Sequence, residues 1–501
     1  MLVRPHQCCL TVSLLATLLL AGCTVGPDYK PPKIEVAKSF GTQAGPLPAT
    51  TRPSSVLESK SLGVAQWWTL FNDPTLNELM ADAIRSNLDL RLAEARVREA
   101  RGLRATITGQ RYPTVNAGAG YSHQRLSQNA PPYNAFNVPG FPWEFDLYQA
   151  GFDASWEIDV FGRVRREVEA ANANIEASVE DRRNTLLTLL AETARNYFEL
   201  RGYQRQLVIA EENLQLQQES VELTRNRVTN GVAPELDLTR AQAQTATTAS
   251  QIPELRSQLD EALTRLAVLL GTDASQLQPR LLPADVATTQ PSAVPPVPPP
   301  PPVVPVGLPS DLLRRRPDIR RAERQFAASN ARIGAAVADL FPRFSLTGAF
   351  NLQAGDFTHL GDWSSRSFNI GPAVSWPIFQ AGQLQAAVDV RNEQQQQALV
   401  QYQMTVINAL REVRNAMTSF GNEQDRRTQL VQAVQADQRS LDMANQLYQQ
   451  GLLDFLSVLD AQRSLYQSQD SLAQSDRLVT TDLIALYKAL GGGWEIESTP
   501  H

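Results

Sequence analysis

Residues able to do chemistry are sparse in this chain of 501 residues, which has three cysteines (Cys8, Cys9, Cys23) and four histidines (His6, His123, His359, His501). No two histidines lie a helical turn or a short loop apart, so the residues for a zinc-type centre or a Ser-His-Asp relay are missing. No "GxxxxGK" phosphate loop occurs, and the nearest glycine cluster, "AGAGYS", reads better as strand. What remains is Cys23. It follows an apolar run from Leu10 to Gly22, preceded by the single charge of Arg4 and too short to span a bilayer. That is the layout of an export signal over residues 1–22. "LAGC" resembles the bacterial lipobox, in which the thiol is diacylated and becomes the first mature residue. The plainer reading is an ordinary signal cut nearby, with Cys23 unmodified; the sequence favours lipidation, and Thr24 in place of Asp favours the outer membrane. With Cys8 and Cys9 gone, no disulfide framework can form. The covalent lipid on Cys23 is the only non-protein group expected, with no cofactor and no metal.

The elements around these residues carry the rest of the reading. The formal net charge is −6, and losing Arg4 makes the mature chain one charge more acidic, which argues against nucleic acid as a partner. An internal repeat is visible. "SWEIDVFG" at 155 matches "SWPIFQAG" at 375, pairing Trp156 with Trp376 at an offset of 220. The same offset pairs Gly231 with Gly451 and Leu270-Gly271 with Leu490-Gly491. Upstream, "DLRLAEARV" matches "DIRRAERQF" at an offset of 229, so the first copy carries nine extra residues between 113 and 154. The copies are joined by "QPSAVPPVPPPPPVVPVGLP", read as an extended polyproline connector in preference to a signalling ligand.

Each copy reads as helix, strand, loop, strand, very long helix, turn, helix. The strands alternate with period two: Phe344, Leu346, Phe350 and Leu352 oppose Ser345, Thr347, Asn351 and Gln353. In the first copy Phe152, Ala154, Trp156 and Ile158 oppose Asp153, Ser155, Glu157 and Asp159. Such a sheet is either half buried on a soluble core or part of a membrane barrel. Strand length, uncharged apolar faces, and the girdle positions of Trp156 and Trp376 favour the barrel. Four strands are too few to close one, so several chains must share it. From Arg163 to Asn230 the chain has no proline, enough for a helix on the order of 100 Å long. Leu186, Thr193, Leu200, Leu207, Leu214, Val221 and Val228 recur every seven residues as a narrow seam. Val406, Val413, Phe420, Val434, Leu441 and Tyr448 repeat it, with Arg427 as the exception. A filament or a stave of a hollow helical tube fits the seam, and only the tube also accounts for the strands.

With these features on the page, the chain resembles the outer-membrane factor family, the TolC-like exit ducts, in its lipoprotein branch of the OprM and NodT type. Seven strings carry the resemblance in family order: "CTVGPDYKPP", "QWWTLFNDPTLNELMADAIRSNLDLRLAEARV", "SWEIDVFGRVRR", "LLRRRPDIRRAE", "LFPRFSLTGAF", "GLLDFLSVLDAQRSLYQ" and "LYKALGGGW". The resemblance implies a mainly α-helical fold with membrane β-strands. A homotrimer would close a twelve-stranded barrel, four strands per chain, continued by a long periplasmic α-helical barrel. The expected divisions are a signal at 1–22, a lipidated extended segment at 23–75, a periplasmic helix at 76–112, and a first barrel hairpin at 113–160. A helical hairpin follows at 161–271, then a proline-rich equatorial connector at 272–309. The second copy gives a helix at 310–341, a barrel hairpin at 342–380 and a helical hairpin at 381–491, before a tail at 492–501.

The implied function is passive exit of drugs or toxic compounds through the outer membrane. The implied partners are outer-membrane lipid, a periplasmic membrane-fusion adaptor, and an inner-membrane pump of the resistance-nodulation-division type. A protein-secretion duct is the alternative within the architecture, and a periplasmic coiled-coil scaffold the alternative outside it. Gly231 and Gly451 would make the helix turns of the periplasmic tip and meet the adaptor. By resemblance Asp460, in "LDAQ", is a tip aspartate whose three copies would ring the axis and pair with Arg to hold the pore shut. The plainer reading of Asp460 is an exposed pair with Arg463. In the first copy Arg240 stands in its place and Asp237 is the nearest acid. Ser457 occupies the position of the family's second tip aspartate, so the network must differ or borrow Asp454.

Overall fold

The computed structural model describes residues 24–34, 56–58, 66–127, 142–282, 303–305 and 309–495. The signal, Cys23 and most of the proline run lie outside them. The chain divides into two units, one of residues 1–33, 97–178 and 322–402, the other of 34–96, 179–321 and 403–501.

In the first unit, strands β2 (Thr114–Arg125), β3 (Glu144–Ile158), β5 (Arg343–Ala354) and β6 (Arg366–Ser375) form one antiparallel sheet in that order. The repeats meet at its centre, where Phe152 pairs with Phe350 and Trp156 with Leu346. The pleat sets one apolar row across four strands, Ala117, Phe152, Phe350 and Phe368. It sets Asn116, Asp153 and Ala349 in the neighbouring row on the opposite face. The alternation read from the sequence therefore holds through every pairing.

Each strand adjoins one helix in the chain. The helices are α2 (Leu88–Gly109), α3 (Arg163–Thr229), α7 (Pro317–Ala338) and α8 (Gln383–Gln449), with α1 (Pro74–Ser86) preceding α2. The two long helices are 67 residues each, and the helices after the tip turns, α4 (Glu235–Leu269) and α9 (Phe455–Ala489), are 35 each. In the second unit the seven-residue seam is buried at Leu186, Thr193, Leu200 and Val221, and again at Val413, Phe420, Leu441 and Tyr448. Arg427, the seam's exception, ion-pairs with Asp476 of α9. The polar surface beside the seam is used as rungs: Gln206 donates to Asp470 at 2.7 Å, Asn213 to Gln469 at 3.0 Å and Gln462 to Ser220 at 3.0 Å.

Two expectations are corrected. The helix placed at 76–112 is two helices broken at Asn87, whose Oδ1 accepts from the Leu90 N–H at 2.8 Å and whose Nδ2 donates to the Leu269 carbonyl at 2.9 Å. A side chain that caps one helix start and grips another helix holds the backbone out of the α conformation. The helix placed at 310–341 is α6 (Pro309–Arg315) and α7, separated because Pro317 takes the first position of α7 and disfavours α geometry at Arg316. The segments read as merely extended also hold structure. Short helix α5 (Ala274–Leu281) lies in the connector, and strand β4 (Val303–Pro305) pairs in parallel with β1 (Val56–Glu58).

The family strings at the chain ends are packing devices. Trp67 is fully buried and stacks on Tyr487 at 5.3 Å. Trp494 of "GGGW" has the Arg183 guanidinium 4.8 Å and the Arg320 guanidinium 5.6 Å from its ring centre, and donates its indole N–H to the Arg315 carbonyl at 3.0 Å. On α9, burial and the neighbouring Glu423 raise Asp482 to about 6. The folded state then holds this proton at pH values where the unfolded chain, titrating at about 4, has lost it. Stability therefore falls as pH rises through that window. Asp482→Asn is expected to raise the melting temperature by a few degrees at about pH 7.5 and to leave it unchanged near pH 4, read by heat dissociation in detergent.

Candidate functional site

Two places bear on transport, and each is built by the repeat. On the sheet of the first unit, the apolar face is exposed: Phe368 and Ile370 keep 73% and 75% of their surface, which an aqueous setting would penalise. Among the described residues no helix is long and apolar enough to cross a membrane, so the strands carry the apolar surface. Trp156 donates its indole N–H to the Arg111 carbonyl at 2.9 Å, and Trp376 donates to the Leu340 carbonyl at 3.1 Å. Both residues thus sit on the apolar side of the sheet end and tie it to the end of the preceding helix, with Trp376 one residue beyond β6. A ring with one wet edge suits a membrane boundary.

The second place is the pair of tip turns. Gly231 has φ +72° and Gly451 φ +74°, the left-handed region that costs other residues about 1–2 kcal/mol. After each glycine the next N–H reaches back five residues, Val232 to the Arg227 carbonyl and Leu452 to the Leu447 carbonyl, both at 2.9 Å. The two turns then diverge. Asp454 caps α9, accepting from the Ser457 N–H at 3.0 Å and its hydroxyl at 2.5 Å, and these bonds hold its carboxyl below the usual carboxylate range. Pro234 stands at the matching place before α4 and supplies no side-chain cap.

Asp460 pairs with Arg463 at 3.0 Å with both side chains more than half exposed. The plainer reading of that pair therefore describes the single chain, and its contribution to stability is about 0.3–0.5 kcal/mol. Asp237 is half-buried on α4. The structure does not bring Asp237, Asp454 and Asp460 into one hydrogen-bonded network; Asp454 is committed to its cap.

What the sequence reading missed is an aromatic plug at the second turn. Phe455 is 3% exposed and packs on Tyr448 with ring centres 5.5 Å apart. The Arg227 guanidinium, from the end of α3, lies 4.4 Å from the Tyr448 ring centre. Val221, Ala241, Val458 and Leu459 complete the cluster. The signal for it was the repeat itself, since Glu235 stands in the first copy where Phe455 stands in the second.

The model of the family described as outer membrane efflux protein matches residues 79–272 and 308–492. The cation efflux system protein CusC of Escherichia coli is 31% identical over 488 residues, covering 97% of this chain and 99% of that protein. The toluene efflux pump outer membrane protein TtgI of Pseudomonas putida is 30% identical over 495 residues, covering 97% and 98%. The solved outer-membrane channel OprN superposes with a TM-score of 0.81 at 35% identity, covering 94% of this chain and all of that one. Repeat, sheet and tip turns are thus those of known channels, and the chain belongs to the outer membrane efflux protein family.

Proposed function

We propose that three copies of this outer-membrane efflux protein close one barrel and act as the passive exit duct of a tripartite pump. The observation that carries this is the four-stranded sheet, apolar on one face and polar on the other, whose outer strands β2 and β6 each keep an edge unpaired within the chain. A membrane sheet cannot leave such edges, and three copies supply the strands a barrel needs. Energy comes from an inner-membrane transporter of the resistance-nodulation-division type, reached through a periplasmic adaptor that meets the turns at Gly231 and Gly451. The cargo is small toxic compounds or drugs, in keeping with relatives named for cation and toluene efflux. The test is native mass and planar-bilayer conductance of protein extracted from separated outer membranes. A conducting three-chain species is expected; a non-conducting single chain would end the duct reading.

Cys23 is proposed as the acylated anchor. Cys23→Ser is expected to abolish acylation completely, read by mass spectrometry of the N-terminal peptide; a lipid-bearing peptide from that variant would sink the assignment. Asp460 is proposed to hold the closed tip across the axis of the trimer, with Arg463 as its partner. Asp460→Ala is expected to raise single-channel conductance severalfold, and unchanged conductance at normal trimer yield would remove Asp460 from the gate.

A further inference from the structure

The first unit has an order beneath its sheet that matches the order within it. Strand β2 follows α2, β3 leads into α3, β5 follows α7 and β6 leads into α8. Arg104 of α2 donates to Asn172 of α3 at 2.8 Å. Ala173 of α3 packs with Ala327 and Ala328 of α7, and Arg324 pairs with Glu176 at 3.1 Å. Beside α7 lies α8, with Glu323 near enough to Tyr402, and Arg332 to Arg391, for the charges to be felt. The helices therefore run α2, α3, α7, α8, and the edge strands β2 and β6 stand over the edge helices α2 and α8.

Those two edge helices are bare on the side away from their neighbours. On α2, Val97 is buried and Ala100 half-buried, while Arg98, Arg101, Gly102 and Thr106 are exposed. A helical wheel places Arg98, Gly102 and Thr106 opposite the covered stripe. On α8, Val388 is buried and Gln395 and Leu399 half-buried, and Ala386, Val390, Glu393 and Val400 point the other way. Val390 and Val400 keep 54% and 51% of their surface. Among the described residues, Arg98, Arg101, Asp389 and Glu393 have no side-chain partner within the chain. One free face is thus basic with a glycine gap, the other acidic with projecting valines.

We propose that the occupant of each face is a second copy of this chain: the Arg98–Gly102–Thr106 face of α2 packs on the Ala386–Val390–Glu393 face of α8 from the next protomer. This rests on the three-copy reading above and specifies its seam. The contact joins two different surfaces, so it is head-to-tail and closes into a ring only when every copy uses both. Gly102 lets a valine approach the α2 backbone, and the Arg98 and Arg101 charges meet Asp389 and Glu393. The seam continues the β2 to β6 pairing of the barrel downward.

The test is a cysteine scan in isolated outer membranes, combining R98C, G102C or T106C with A386C, V390C or E393C in the full chain. Under oxidation at least one combination is expected to give two-chain and three-chain species that neither single variant gives. No cross-link from any combination, with wild-type protein still running at three-chain mass, overturns the seam and leaves the three-copy reading intact. Wild-type protein running as a single chain overturns both. E393R is expected to lower the temperature at which the three-chain species dissociates, and R98E combined with E393R to restore it; a dissociation temperature unmoved by E393R overturns the charge pairing.

Discussion

Phe455→Ala is expected to loosen the second tip turn and raise channel conductance more than removal of any single charge there. Phe455 is 3% exposed, packed on Tyr448 at 5.5 Å, and Tyr448 in turn carries the Arg227 guanidinium at 4.4 Å. Truncating a buried phenylalanine costs about 3–5 kcal/mol, several times an exposed ion pair such as Asp460 with Arg463. The loss falls on residues that fasten α9 to the ends of α3 and α8, so the turn frays locally. Bilayer conductance and protease cleavage near Gly451 both report it. Glu235→Ala, at the matching place in the first copy, is the control expected to change neither. Equal behaviour of the two variants would remove the aromatic cluster from the tip's mechanics.

Arg316→Ala is expected to cost about 3–5 kcal/mol, because it leaves a largely buried carboxylate and a buried carbonyl without their partner. The Arg316 side chain is 9% exposed and grips Asp318 at 2.7 Å and Glu412 at 2.8 Å. It also donates to the backbone carbonyl of Ala489 at 2.9 Å, at the end of α9. One guanidinium thus fastens the start of α7 to both α8 and α9, and its loss frees three acceptors at once. Heat dissociation in detergent and yield in the outer membrane measure the effect. Arg316→Lys keeps the charge and loses the two-pronged contact with Asp318, so it is expected to recover only part of the stability. Full stability in the alanine variant would show that the buried pairs contribute nothing net.

Much of this was legible in the sequence because periodicity and repetition are long-range signals. The strands alternate over ten residues or more, and the pairing of Phe152 with Phe350 keeps every apolar side chain on the face the alternation assigned. The seam likewise survives as buried Leu186, Leu200, Val413 and Phe420. The helix breaks were less visible. At Asn87 the decisive event is a contact with the Leu269 carbonyl, 182 residues away, which no local pattern encodes. At Arg316 the signal, Pro317, was present in "RRRPD" and outweighed by the apolar periodicity on either side. The tip aspartates misled for a related reason. Asp454 and Ser457 read as members of a charged network, yet their three-residue spacing is that of a helix cap, and the cap is what they form.

The equal helix lengths have a bearing on how such a chain can change. Both copies run 67 residues down and 35 back, although their surface loops differ. The loops are free to drift; the helices behave as a matched pair of rulers. A residue gained or lost in one copy offsets its turn from the other by about 1.5 Å and rotates the seam by about 100°. Seven residues gained in both copies together lengthen each ruler by about 10 Å and return the seam to its register. Variation in reach is therefore open to this architecture only in duplicate and in whole heptads.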